Sequence, residues 1–250
     1  MYFDTSKYLE YLKPTTLGSN LLYLEETSST NDEVWQHIKD NNHIVVVAEK
    51  QTKGRGRRNN IWHSLKEKSL TFSIGIQTDE SIASQIPFII PLSICKAIKK
   101  LSQINVGVKW PNDIIIDNKK IAGVLIQSKL HKSKQIYNIG IGINVNLNED
   151  DKKKLDIENI TSILLESNKI IDRENLLSEI IISMDEYLLK SQDEIIKLWL
   201  ENCVHLNMNV QFHNNDKIIA GVFKSIDSTG NALIDVDNNI KSFSSGVIEL

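Results

Sequence analysis

Three of the four arginines in this 250-residue chain, Arg55, Arg57 and Arg58, fall inside one stretch, TKGRGRRNN (52–60). Elsewhere, apart from Arg173, lysine carries the positive charge. A guanidinium offers a rigid fork of donors that matches carboxylate or phosphate, which a lysine ammonium does not. Gly54 and Gly56 flank Arg55 and let backbone amides approach a ligand closely. The chemistry that such a loop suits is anion holding in which geometry counts as much as charge. It is not a Walker motif, because no Gly-Lys-Ser/Thr follows. A solvated basic hairpin tip and a local nucleic-acid patch fit the same residues.

Further candidates follow along the chain. In KWPND (109–113), Asn112 and Asp113 sit at a turn where a strand ends, a common place for ligand contacts. Asp113 suits either a metal or the orientation of an incoming amine. In NKKIAG (118–123), Lys120 opens a strand and precedes the small pair Ala122-Gly123. If that strand lines a cleft, Lys120 becomes a point charge for phosphate. GIGIN (140–144) places glycine at alternate strand positions, which suits close approach of a ligand or of another backbone. It is not the dinucleotide fingerprint, since no helix opens after it. SSTN (28–31) reads by itself as a helix cap. The six histidines are scattered, and no serine, histidine and aspartate pattern or zinc-ligand spacing is visible, which argues against a zinc hydrolase and against covalent nucleophilic catalysis.

The elements that must position these residues are legible from periodicity. LLYLEETSSTNDEVWQHIKD reads as a strand entering a helix capped by Ser29 or Thr30, and HIVVVAEKQ and SLTFSIGIQT read as strands on either side of the glycine loop. The segment 83–103 is expected to be helical after Pro91. NVGVKWPNDIIIDNKKIAGVLIQSKL reads as strand, Pro-Asn-Asp turn, short strand, Asp-Asn turn and strand. QIYNIGIGINVN is a further strand, EDDKKK a charged connector, and two helices follow, the first capped by Asp172. Beyond residue 204 come short alternating strands divided by Asn-Asn-Asp, Ser-Thr-Gly and Asp-Asn-Asn turns, the pattern of a small β-barrel. The expected architecture is α+β, with a mixed-sheet domain over 1–203 and a β appendage over 204–250.

Composition bounds the function. A net charge of −3 is unlike a dedicated nucleic-acid binder, so no DNA partner is expected. The apolar run IPFIIPLSICKAI is short and interrupted by Pro87 and Pro91, which excludes it as a membrane span, and the polar N-terminus does not resemble a signal peptide. Cys95 and Cys203 form neither a metal spacing nor a disulfide framework, so a cytoplasmic location is expected.

Taken in order, ETSSTND, AEKQTKGRGRRNNIW, KWPNDI, KKIAGVLIQ and IGIGINVN resemble the biotin protein ligase family, and VFKSIDSTGNALIDV looks like its small SH3-like barrel. The resemblance implies a class II synthetase-like catalytic fold followed by that barrel. It also implies a two-step reaction, in which biotin and ATP form biotinyl-5′-AMP and the biotinyl group then passes to a lysine of a biotin carboxyl carrier domain. Joining two anions requires a cationic clamp, and by resemblance Arg55, Arg57 and Lys120 supply it, with residues 52–60 ordering over the adenylate. Ser29, Thr30, Asn31, Gln51, Gly54, Gly56 and Gly123 would meet biotin. Arg58, Trp62, Asn112 and Asn144 would meet ATP or the adenylate, and Asp113 would orient the carrier lysine. Mg²⁺ would come with ATP and not from a protein cage, so no metal ligands are assigned.

Two departures from the family pattern stand out. Many members have glycine where Asn59 stands, which implies a less pliable loop here. Some members carry a helix-turn-helix domain ahead of the Ser-Thr-Asn motif; that motif begins by residue 29 here, so a ligase without repressor function is expected. A homodimer is left open. The nearest rival reading is a lipoate or octanoate ligase or transferase of the same fold, and a remote one is a nucleic-acid-binding module.

Overall fold

The computed structural model describes residues 2–15, 17–38, 41–78, 83–131, 134–214 and 217–249. Seven strands form the larger sheet: β1 (Leu21–Thr27), β2 (His43–Gln51), β3 (Ser69–Thr78), β4 (Gly107–Lys109), β5 (Asp113–Ile116), β6 (Lys119–His131) and β7 (Lys134–Asn144). Their order is β1-β2-β3-β7-β6-β5-β4. Only the β1–β2 pair is parallel, so the sheet is mixed, as the α+β reading expects. The β5–β6 reversal uses Asp117 and Asn118, both at positive φ (46° and 61°), which suits a tight hairpin.

The helices are α1 (Thr5–Tyr11), α2 (Thr30–His37), α3 (Ile86–Ser102), α4 (Glu149–Leu155), α5 (Ile163–Ser167), α6 (Arg173–Leu188) and α7 (Gln192–Glu201). Two expectations are corrected. Helix α3 begins at Ile86 and runs through Pro91, with Pro87 in its first turn. Proline at a helix start needs no amide partner. The bond lost at Pro91 is outweighed by burial of Ile86, Phe88, Ile89, Ile90 and Leu92. EDDKKK is not a plain connector but most of α4. Asn148 and Asp151 form a reciprocal cap, with acidic residues in the first turn and lysines in the last. No residue of α4 is buried, so it lacks the apolar stripe that reveals helices in sequence. None of the described helices is long and apolar enough to cross a membrane.

The C-terminal strands β8 (Asn209–Asn214), β9 (Lys217–Ile226), β10 (Ala232–Val236), β11 (Asn239–Phe243) and β12 (Val247–Glu249) form an antiparallel sheet ordered β11-β10-β9-β8-β12, the SH3-like appendage. Asp227 organises the Ser-Thr-Gly turn by accepting from the amides of Thr229 and Asn231, and Asp237 and Asn238 take positive φ in the next reversal. Part of the Asn-Asn-Asp turn lies outside the described residues. One continuous apolar core joins both sheets, containing Phe72, Ile141 and Trp110 together with Phe212, Phe223 and Ile234.

Candidate active site

Strand register sets the floor of the site. Ala48, Thr71, Gly142, Gly123 and Asp113 stand in one row across β2, β3, β7, β6 and β5. Residues directly opposite in a ladder project to the same face, so this face is nearly bare where its two glycines lie. Other groups occupy the room. A Cβ on Gly142 would collide with the Trp62 indole, one on Gly140 with the Asn31 amide, and one on Gly123 would press on the end of Lys120. The alternate glycines of GIGIN are therefore required by close packing on this face.

Above the floor is a cavity of about 230 Å³. Of the residues singled out in the sequence, all but Gly54 and Asn144 line it. Gly54 lies just behind, where a Cβ would strike the Trp62 carbonyl. Asn144 is buried at the end of β7 opposite Ser69.

One end of the cavity is polar and uncharged. Ser29 caps α2, although its side chain makes no capping bond. The Thr30 amide and hydroxyl both donate to Gln51 Oε1, at 2.7 and 3.0 Å. Ser73 donates to Asn31 Oδ1 at 2.6 Å, Asn31 donates to Gln127 at 3.2 Å, and Asn138 donates to the Asn31 carbonyl at 2.7 Å. These bonds between α2 and the sheet fix the orientation of each donor and acceptor before any ligand arrives.

The other end is charged. Lys120 Nζ lies 2.6 Å from Asp113 Oδ1. Arg57 is half-buried and donates to Asn112 Oδ1 at 3.3 Å, while Asn112 donates to the Val124 carbonyl at 2.6 Å. Burial lowers the Arg57 pKa, neighbouring Arg58 lowers it further, and Asp113 opposes both. The guanidinium stays charged, so Arg57 is a cation short of solvation, and an anion would restore what it lacks. Arg55 is turned away to Asp32, which it grips with both terminal nitrogens at 3.1 and 2.6 Å. The loop closes through a short 3₁₀ turn, Arg57–Asn59, whose left-handed residue is Arg58 (φ 54°). Trp62 Nε1 is buried without a hydrogen-bond partner among the described residues.

Nothing here resembles a covalent catalyst. Burial pushes the Cys95 thiol up to about 12 and the Cys203 thiol up to about 11, and neither lines the cavity. Among the described residues, no three His, Cys, Asp or Glu side chains gather as a metal set would. The arrangement suits an elongated acid with a polar, neutral far end and a second anion beside its carboxylate.

The model of the Biotin/lipoate A/B protein ligase family matches residues 23–146, and that of the Biotin protein ligase C terminal domain matches 205–250. The chain belongs to the biotin protein ligase family. It is 28% identical over 250 residues to the bifunctional ligase/repressor BirA of Bacillus subtilis (strain 168), covering 96% of this chain and 76% of that one. It is 28% identical over 242 residues to BirA of Escherichia coli (strain K12), covering 93% and 74%. Biotin protein ligase from Aquifex aeolicus, solved in complex with biotin and ATP, matches with a TM-score of 0.75 at 29% identity, covering 93% of this chain and 98% of that one.

Part of the cavity wall is marked by no motif in the sequence. Thr71, Leu125 and the β12 segment Gly246–Ile248 also line it. Thr71 holds a polar position of an alternating strand, and alternation does not show that β3 is buried on both faces. Gly246–Ile248 reach the site through tertiary folding from the far end of the chain, and no local pattern encodes that.

Proposed function

We propose that this chain is a biotin protein ligase that activates biotin with ATP and passes the biotinyl group to a lysine of a biotin carboxyl carrier domain. The observation that carries this is the two-ended cavity: a preset array of neutral donors and acceptors at one end, and Arg57, Lys120 and Asn112 at the other. The match of the C-terminal residues to a biotin protein ligase domain favours biotin over lipoate within the shared family.

In the first step a carboxylate oxygen of biotin attacks the α-phosphorus of ATP. The bond to the β-phosphate oxygen breaks, and pyrophosphate leaves. Two anions must be brought together, and preorganised cations offset their repulsion and the charge that develops on the phosphoryl oxygens. Arg57, already under-solvated, and Lys120 are placed for this. Mg²⁺ enters as part of the MgATP substrate. The incoming anions compete with Asp113 for Lys120. Asp113 then becomes available to the ammonium of the carrier lysine and can hold it near the acyl carbon. In the second step the deprotonated amine attacks that carbon, the bond to AMP breaks, and AMP leaves. No enzyme nucleophile is needed, in keeping with the two high-pKa thiols. Trp62, on Gly142, offers a flat face and a free donor to the adenylate, and residues 52–60 shield it from water.

ATP–pyrophosphate exchange with biotin, lipoate or no acid tests the reading. Exchange with biotin alone is expected. Exchange with lipoate alone would reassign the substrate, and silence with both from folded protein would remove the ligase activity altogether.

A further inference from the structure

Thr71 stands in β3, 3% exposed, and lines the cavity, yet its hydroxyl has no hydrogen-bond partner among the described residues. Ser73, two residues on and on the same face, shows the contrast: its hydroxyl meets Asn31 Oδ1 and Thr30 Oγ1, each at 2.6 Å. A buried hydroxyl left unmade lowers stability, and valine would fill the same shape without that penalty. Thr71 also sits at a definite place. Gly142 and then Gly123 follow it across the sheet, so it is two strand spacings, roughly 10 Å, from the Lys120 end. On the same face Ser73 bonds the neutral groups of Thr30 and Asn31, the Trp62 indole lies over neighbouring Gly142, and the Lys120–Asp113 pair stands farther along the row.

We infer that Thr71 is a specificity-determining residue, whose hydroxyl hydrogen-bonds the polar ring end of the acid substrate and so disfavours acids that end in bare hydrocarbon. This rests on the ligase reading above. A hydrocarbon end would leave the hydroxyl buried and unpaired in the complex, and a site built to pair a polar group rejects analogues that lack it.

Thr71→Val and Thr71→Ser should be compared with the parent in ATP–pyrophosphate exchange with biotin and with octanoate, alongside urea unfolding and the biotin-induced rise in Tm without ATP. Thr71→Val is expected to be at least as stable as the parent and to raise the KM for biotin about tenfold. Its biotin-induced Tm rise should shrink, and its selectivity for biotin over octanoate should fall. Thr71→Ser keeps the hydroxyl and should stay close to the parent. An unchanged biotin KM in Thr71→Val overturns the inference. So does a loss of stability in that variant, which would mean the hydroxyl is bonded within the fold. A folded parent that exchanges with neither acid, or with octanoate alone, overturns the ligase reading first and this inference with it.

Discussion

The four arginines differ in burial and in partners. Arg173 is buried and grips the Glu49 carboxylate. Arg55 grips Asp32 at the surface, where an exposed pair contributes at most about 1 kcal/mol, so it is readily released to another anion. Arg58 accepts a left-handed backbone to turn the loop. Arg57 is half-buried, with Asn112 as its neutral partner and a second guanidinium close by. That makes Arg57 the residue with most to gain from the adenylate. Arg57→Ala is therefore expected to keep the fold, since it relieves a desolvated charge, and to release the adenylate about 10–100-fold faster, the loss of one charge-assisted hydrogen bond. Release of labelled adenylate from preloaded enzyme measures this, and a rate equal to the parent's would remove Arg57 from adenylate retention. Residue type and spacing marked these arginines in the sequence, but their pairings were not legible. Asp32 lies outside the glycine loop, in the first turn of α2, and the Lys120–Asp113 pair depends on a hairpin register that no motif states.

At the scale of elements, the sheet face depends on what locks β2, β3 and α6 together. Glu49, at 1% exposure, accepts from Arg173 twice, at 3.0 and 2.8 Å, from the Phe3 amide and from the Glu67 amide. Arg173 also donates to the Ser69 carbonyl. Burial raises the Glu49 pKa, but the Arg173 bonds and the two amides outweigh it, and the carboxyl lies below its ordinary 4.5. A depressed folded pKa stabilises the fold above the unfolded value, and that stability is lost as pH falls through the folded one. Stability should thus decline below about pH 4.5 and flatten in Glu49→Gln, as urea titrations between pH 3 and 7 would show. Glu49→Ala should cost about 3–5 kcal/mol, because it strands a buried guanidinium. An equally steep acid decline in Glu49→Gln would assign the pH dependence to other groups. The strands on both sides of this lock were legible with their ends, HIVVVAEKQ from its β-branched run and SLTFSIGIQT from its alternating residues, although both are buried on both faces. The lock was not, since it joins residues far apart in the chain. Helix α4, held by its cap and its charges, was missed for want of an apolar stripe.

At the scale of the whole molecule, Trp110 decides how far the C-terminal sheet is a separate body. Its Nε1 donates to the Gly230 carbonyl at 2.9 Å, and its ring meets that of Phe212 at 5.8 Å between centroids. Phe212 in turn fills the space beside Gly246, the residue that opens the β12 edge of the cavity. The chain leaving α7 is also stitched to β4, through the Val108 amide to the Asn202 carbonyl and the Val204 amide to the Val108 carbonyl. Trp110 immediately precedes the turn carrying Asn112 and Asp113, so the appendage buttresses the charged end of the site. We propose that the boundary between residues 203 and 204 is one of topology and not of folding. A shared core predicts one cooperative transition, with calorimetric and van't Hoff enthalpies equal. Trp110→Ala removes both the bond and the ring that bridge the sheets; it should cost about 3–5 kcal/mol and split the melt in two, the smaller unit melting first. Trp110→Phe keeps the ring contact and should preserve a single transition while losing about 1 kcal/mol with the hydrogen bond. Two transitions in the parent protein would make the appendage an independent domain, and its place in the cavity wall would then be a docked state, not a built one.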